Sequence, residues 1–219
     1  MTARPEPGQP PTPDAREPSA MDTVRLRPLN RWQAEGLRED LADLYVESTS
    51  TAPGGEYRGR EDFLARLADD VRRPGFAMVV AEATALAGCA FGFPMGRDGS
   101  WWQGFAGELP TDIEQLTASG HVFAITAIVV HPHQRDRGLA GRLQKRLLAD
   151  HHASLGATVV DQADRAACAA FLSWGWQRIG EVRRPADPAV LEALVLILGK
   201  RTVARPDGLA HDPRTQRPL

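Results

Sequence analysis

Apolar and polar positions alternate along TVRLRPLN (23–30), and the run ends at Pro-Leu-Asn, so it predicts a first strand. The next segment, RWQAEGLREDLADLYVEST (31–49), places Leu37, Leu41, Leu44 and Tyr45 at helical spacing. REDFLARLADDVRR (60–73) repeats that spacing with Phe63, Leu64, Leu67 and Val71, and Pro74-Gly75 stops it. FAMVVAEA and LAGCAFGFPM then predict two strands of a hairpin, with Thr84-Ala85 near its turn. HVFAITAIVV (121–130) is apolar almost throughout and predicts a buried strand. In LAGRLQKRLLADHH, Leu139, Leu143 and Leu147 form one stripe, and Arg142, Lys145 and Arg146 lie off it, as a half-buried helix requires. ATVVDQ predicts a strand. DRAACAAFLSWG predicts a helix capped by Asp164 and ended by Gly175. WQRIGEV and AVLEALVLILGK close the pattern as two strands, the second chosen over a helix for its Val, Leu and Ile density. Strands interleaved with helices in this order predict a mixed α/β sheet domain.

Between Gly96 and Gly120 the pattern lapses into a long connector that carries Trp101, Trp102 and Phe105. Connectors of that length inside a domain are usually functional or disordered, and the aromatic content argues against disorder. The three aromatics either line a pocket or cover the edge of the sheet. Residues 1–21 hold six prolines and few large apolar side chains, so they read as a disordered leader, with Met21 a second candidate start. A flexible tail is expected over 201–219, leaving one domain across 22–200.

Composition adds exclusions. The 219 residues suffice for one domain with a sizeable core. A formal net charge of -2 gives no basic excess for a nucleic-acid surface. No run approaches the ~20 apolar residues of a membrane span, and the start lacks the apolar core of a signal peptide. Cys89 and Cys168 stand alone among small or apolar neighbours and read as free buried thiols. No ligand spacing suggests a metal site. A reducing cytoplasm is the expected compartment.

The remaining signal is VHPHQRDRGLAG (130–141), a turn between the buried strand and the amphipathic helix. A helix N-terminus exposes unpaired N–H groups and a positive dipole end, and glycine lets an anion approach the backbone. Gly138 and Gly141 flank Leu139-Ala140, and Arg135, Arg137 and Arg142 add positive charge. The G-x-x-x-x-G-K-[ST] and G-x-G-x-x-G patterns of nucleotide-binding loops are both absent.

Val130-His131-Pro132 followed by Arg135-Asp136-Arg137-Gly138-Leu139-Ala140 resembles the V-x-P and [Q/R]-x-x-G-x-[G/A] signature of the GNAT N-acetyltransferases. Downstream, Asp164, Ala167, Phe171, Gly175 and Trp176 match the spacing of that family's second signature. The resemblance covers about residues 22–200. It implies a central, mostly antiparallel mixed sheet of six to seven strands flanked by about four helices and splayed between strands 4 and 5. It implies acetyl-CoA as cosubstrate. Backbone amides from Arg135 through Asp136, Arg137, Gly138, Leu139, Ala140 and Gly141 to Arg142 would hold the pyrophosphate. The edge near Ile128, Val129 and Val130 would pair with the pantetheine arm, and Asp164 and Phe171 would lie at the second signature's contacts. The partner would be a small-molecule or peptide amine, and a homodimer is among the assemblies the resemblance suggests.

Two expected side chains are missing. An alkyl ammonium near pKa ~10.4 costs about 4–5 kcal/mol to deprotonate at neutral pH, so a base is useful. Many relatives carry a glutamate on strand 4. Here Ala124, Thr126 and Ala127 stand in that region, and Thr126 is the strand's only polar side chain. The tyrosine expected as general acid is Phe171. A thiol of pKa ~8.5 leaves tolerably without that acid. Candidate catalytic residues are therefore His121, at the mouth of the strand, and Thr126. Glu108, Asp112 and Glu114 in the connector are further candidate bases. Asp164 also reads simply as a helix cap. The leading expectation is an acetyltransferase acting on a primary amine, with Trp101, Trp102 and Phe105 as candidate acceptor-pocket residues. The alternative is a CoA-binding protein of the same fold with weakened chemistry.

Overall fold

A computed structural model describes residues 24–49, 56–184 and 189–199. The expected leader at 1–21 and tail at 201–219 lie outside the described residues. By backbone contacts the chain divides into two units, the first running to Phe93 and resuming over Ile125–Ala149, the second holding Pro94–Ala124 and the chain from Asp150 onward.

In the first unit, β1 (Arg25–Leu29) leads into α1 (Arg31–Gly36) through Asn30. The Asn30 side chain accepts from the Gln33 backbone N–H at 3.0 Å, and the Gln33 side chain accepts from the Asn30 N–H at 3.0 Å. This reciprocal cap starts the helix sharply. The single helix expected over 31–49 is broken at Leu37, and α2 runs over Arg38–Thr49. Gly36 stands at the break, and glycine is the weakest helix former after proline. α3 (Glu56–Asp70) begins four residues before its expected start. β2 (Ala77–Glu82) and β3 (Leu86–Pro94) form the expected antiparallel hairpin, and β1 pairs antiparallel with β2.

The apolar faces of these elements meet in one core. Leu41 and Leu44 from α2, and Phe63 and Leu67 from α3, pack with Met78, Val80 and Phe91 of the hairpin. Tyr45 stacks on Phe63 at 4.7 Å between ring centroids. Each such buried side chain contributes about 1.5–3 kcal/mol.

β4 (Val122–Val130) is followed by α5 (Leu139–Ala149), whose Leu139, Leu143 and Leu147 stripe is buried as the spacing predicts. The seat beneath α5 depends on Gly88 of β3. A Cβ there would fall 2.9 Å from the Val129 carbonyl oxygen and 3.1 Å from Leu143 Cδ1.

In the second unit, the connector holds a short helical turn (Ser100–Trp102) and α4 (Thr111–Ala118), an element the sequence pattern did not announce. The Trp102 indole N–H donates to Thr117 Oγ1 at 3.1 Å, and that hydroxyl donates to the Ile113 carbonyl at 2.8 Å. β5 (Leu155–Asp161) pairs antiparallel with β7 (Val190–Ile197), which pairs antiparallel with β6 (Gln177–Arg183). Phe105 bridges to Val182, and its ring lies where a Cβ on Gly180 would come within 2.5 Å. Asp164 caps α6 (Arg165–Ser173) by accepting from the Ala167 N–H at 2.9 Å, and Gly175 follows its end at φ 89°.

β4 belongs to both units. Together they give a seven-stranded sheet in the order β1-β2-β3-β4-β5-β7-β6, mixed and mostly antiparallel, with six α-helices among the described residues. The two helices beyond the expected four arise from the break at Leu37 and from α4. The parallel β4–β5 ladder has three pairs, from Val122–Leu155 to Ala124–Ala157.

Gly88→Ala is expected to destabilise the protein by about 1–3 kcal/mol, because the added methyl meets backbone oxygen rather than a mobile side chain. A lower urea midpoint at unchanged slope would report it. An unchanged midpoint would contradict the seat assigned to Gly88.

Candidate functional site

The end of β4 is held to β3, where the His131 N–H donates to the Ala87 carbonyl at 3.0 Å. Pro132 then opens a helical turn (Pro132–Gln134). His131 Nδ1 accepts from the His133 N–H at 3.2 Å, and its Nε2 lies 3.2 Å from the Glu47 carboxylate on α2. The Arg135 guanidinium donates to the Ser48 carbonyl at the end of α2. Arg142 Nη2 donates to the Val24 carbonyl at 3.2 Å. Two of the three arginines therefore fasten the turn to its surroundings. Arg137 is exposed and makes no ion pair or hydrogen bond among the described residues.

Inside that frame the backbone alternates. Arg135 is extended at ψ 156°, while Asp136 and Gly138 take left-handed φ values of 61° and 69°. Gln134 and Arg135 donate their N–H groups to His131 and Pro132, and Arg142 donates to Gly138. Between them, the six N–H groups from Asp136 to Gly141 make no well-formed hydrogen bond among the described residues. Asp136, Arg137 and Gly138 are exposed, and the space over Gly138 is open, with no atom within 4 Å of an added Cβ. N–H groups without a well-formed acceptor at the head of an eleven-residue helix, beside an exposed guanidinium, have the chemistry of an anion cradle.

The strand leading to the cradle has a free side. From Thr126 to Val130, β4 has no β5 ladder partner among the described residues. Ile128 and Val130 are half-buried and Val129 is buried. An extended ligand with a phosphate head suits such a strand followed by such a turn.

The other candidates are placed as follows. His121 is exposed, with Nδ1 2.9 Å from Ser119 Oγ. Thr126 is half-buried, and its hydroxyl donates to the Phe91 carbonyl at 3.3 Å. Asp164 is the cap of α6. Phe171 is buried there, edge-on to Trp176 at 5.1 Å between ring centroids. Glu108, Asp112 and Glu114 are exposed, the last two in the first turn of α4. Trp102 is buried, whereas Trp101 and Phe105 are half-buried. Burial pushes the Cys89 thiol up to about 12, so it is no nucleophile.

One group escaped the sequence reading. Asp70, the last residue of α3, is 7% exposed. Its Oδ2 has no hydrogen-bond partner, and the Thr126 side chain, whose hydroxyl donates to the Phe91 carbonyl, is near enough to lower its pKa. Burial raises its pKa, against smaller lowering effects of Thr126, Arg66 and Arg73. The available signal was its position. Asp70 follows Phe63 by seven residues and Leu67 by three, which puts an acid on the apolar stripe.

A model described as the acetyltransferase (GNAT) family matches residues 35–176. No curated protein sequence matches the chain. Among solved structures, the chain is similar to a protein from Pyrococcus horikoshii OT3 at 15% identity and TM-score 0.56, covering 80% of this chain and 98% of that one. It is similar to the PaiA N-acetyltransferase of Thermoplasma acidophilum, solved in complex with coenzyme A, at 10% identity and TM-score 0.54, covering 80% and 99%. A spermidine N-acetyltransferase chimera from Vibrio cholerae and hSSAT gives 11% identity and TM-score 0.51, covering 80% and 95%. Identities this low speak to fold alone.

If Arg135 fastens the turn to α2, Arg135→Ala should loosen it. Limited trypsin digestion is expected to cut after Arg137 faster than in the wild type. An unchanged cleavage rate there would contradict the anchoring role.

Proposed function

The chain belongs to the GNAT acetyltransferase family, and from that premise we propose that it moves the acetyl group of acetyl-CoA to a primary amine of a small molecule or peptide. The observation that carries this reading is the row of six N–H groups from Asp136 to Gly141 without a well-formed hydrogen bond among the described residues, standing where the free side of β4 ends. The coenzyme A complex of the structurally similar PaiA protein supports the choice of ligand.

When bound, acetyl-CoA supplies an acetyl group activated as a thioester. The chain's own work is to hold it. The Asp136–Gly141 amides donate to the pyrophosphate, and the open backbone at Gly138 lets its oxygens approach. Arg137 adds a mobile cation, while Arg135 and Arg142 keep the turn in shape and contribute charge. The free edge at Ile128, Val129 and Val130 offers backbone donors and acceptors to the pantetheine amides. His121 and Thr126 remain candidates for handling the amine's protons, and Trp101, Trp102 and Phe105 for lining its pocket. For Asp164 and Phe171 a cofactor contact rests on motif spacing alone, since each already has a structural task.

A second reading is a CoA-binding protein with weakened chemistry. It is favoured by the absence of a carboxylate on β4 and by Phe171 at the position of the expected acid.

Saturating acetyl-CoA is expected to raise the melting temperature, with about 2.7 kcal/mol of stabilisation at a hundredfold excess over Kd. Gly138→Val is expected to abolish the shift, because a β-branched residue resists left-handed backbone and covers the amides. Arg137→Ala should weaken binding by about 1 kcal/mol, roughly fivefold in Kd, and flatten its salt dependence. A wild type unmoved by acetyl-CoA would refute both readings. Binding without thiol release toward any primary amine would favour the second.

A further inference from the structure

Resting on the acetyltransferase reading, we propose that Thr126 and Asp70 form the proton-accepting pair for the acceptor amine, with Thr126 meeting the amine and Asp70 acting through it. Asp70 is thus a positioning residue whose carboxylate stores the proton.

The location of Asp70 is costly. A carboxylate at the C-terminal end of α3 opposes the helix dipole. It is 7% exposed, and one of its oxygens has no partner. An unpaired buried carboxylate is normally excluded from a core unless its chemistry is used. Thr126, the only polar side chain on β4, is the uncharged neighbour near enough to lower the pKa of that carboxyl, and its hydroxyl donates to the Phe91 carbonyl beside it. Thr126 lies two residues before the Ile128–Val130 edge, so a ligand whose phosphate sits at the cradle and whose arm follows β4 backward ends at Thr126. The charged groups around the carboxyl are Arg66 and Arg73, which favour its ionised form, and Asp69, which opposes it. Burial opposes ionisation most, which moves the carboxyl toward the range useful to a base near neutral pH.

The step balances without a further reactant. The Thr126 hydroxyl turns from the Phe91 carbonyl, 3.3 Å away, toward Asp70. One ammonium N–H bond breaks and its electron pair stays on nitrogen. The proton joins Thr126 Oγ1 as the Thr126 proton passes to a carboxylate oxygen of Asp70. Thr126 ends neutral, the amine becomes nucleophilic, and Asp70 later returns the proton to water along the same route.

The test compares Asp70→Asn, Thr126→Val and Thr126→Ser with the wild type. One readout needs no ligand. The folded carboxyl keeps its proton to higher pH than the unfolded one, so native stability falls as pH rises from the unfolded carboxylate range through the folded value. Asparagine cannot ionise. The melting temperature of Asp70→Asn is therefore expected to equal or exceed that of the wild type near neutral pH, and to lose this advantage toward about pH 4. The second readout is the acetyl-CoA thermal shift, expected to persist in all three variants. The third is thiol release from acetyl-CoA with benzylamine, spermidine and trialanine across pH. Asp70→Asn and Thr126→Val should each lower kcat about 100-fold or more and remove the same acidic limb of the pH profile. Thr126→Ser should keep both. The double variant should be no worse than either single one.

A wild-type kcat in Asp70→Asn would overturn the pair while leaving the acetyltransferase reading intact. So would an Asp70→Asn protein destabilised equally at every pH, or a Thr126→Ser variant as slow as Thr126→Val. A wild type without an acetyl-CoA shift would overturn the acetyltransferase reading itself. A wild type that binds acetyl-CoA yet acetylates none of the three amines would overturn the proton-accepting role.

Discussion

Backbone N–H groups must donate to something, and the six from Asp136 to Gly141 make no well-formed hydrogen bond among the described residues. Pro132 ends the strand, Asp136 and Gly138 take left-handed φ values, and α5 supplies three of the six amides from its first turn. The seat of that helix depends on Gly88, where no side chain separates β3 from Leu143. Arg135 and Arg142 bind carbonyls at Ser48 and Val24, so the turn is fastened before any anion arrives. Preorganisation of this kind avoids ordering the loop at the moment of binding.

The turn proposed to receive phosphate was legible in the sequence because it is made of backbone. Its signature lies in what side chains must be small: Gly138, Ala140 and Gly141, between an apolar strand and a leucine stripe. The hairpin, α5 and the closing strands were equally legible, since each has a burial period longer than a few residues. α4 was not. Its eight residues hold too few apolar positions for a period to emerge, and its packing comes from Trp102 and Thr117, fifteen residues apart. The targets of the arginines were also invisible. Positive charge shows in the sequence, but Arg135 and Arg142 meet carbonyls 87 and 118 residues away. Asp70 shows only as an acid on an apolar stripe, and its relation to Thr126 needs the fold.

Holding the ligand and moving protons make different demands on the chain. Backbone contacts tolerate changes in side chain, which is why Leu139 and Asp136 carry no special chemistry at the cradle. A proton acceptor needs a side chain in a defined environment. β4 supplies no carboxylate, and His121 and the connector acids are exposed. Asp70 approaches β4 from α3 instead. Phe171 packs edge-on to Trp176 where a proton donor is expected, and a thiol of pKa ~8.5 is in general a tolerable leaving group without one.

The central claim is that the Asp136–Gly141 backbone receives the phosphate of the ligand. Amide NMR of the uniformly labelled chain during a coenzyme A titration tests it residue by residue. The account predicts that the largest shifts and the new hydrogen-exchange protection fall on Asp136–Gly141, with smaller changes at Ile128–Val130. Saturable binding that leaves those six amides unshifted and unprotected would contradict it.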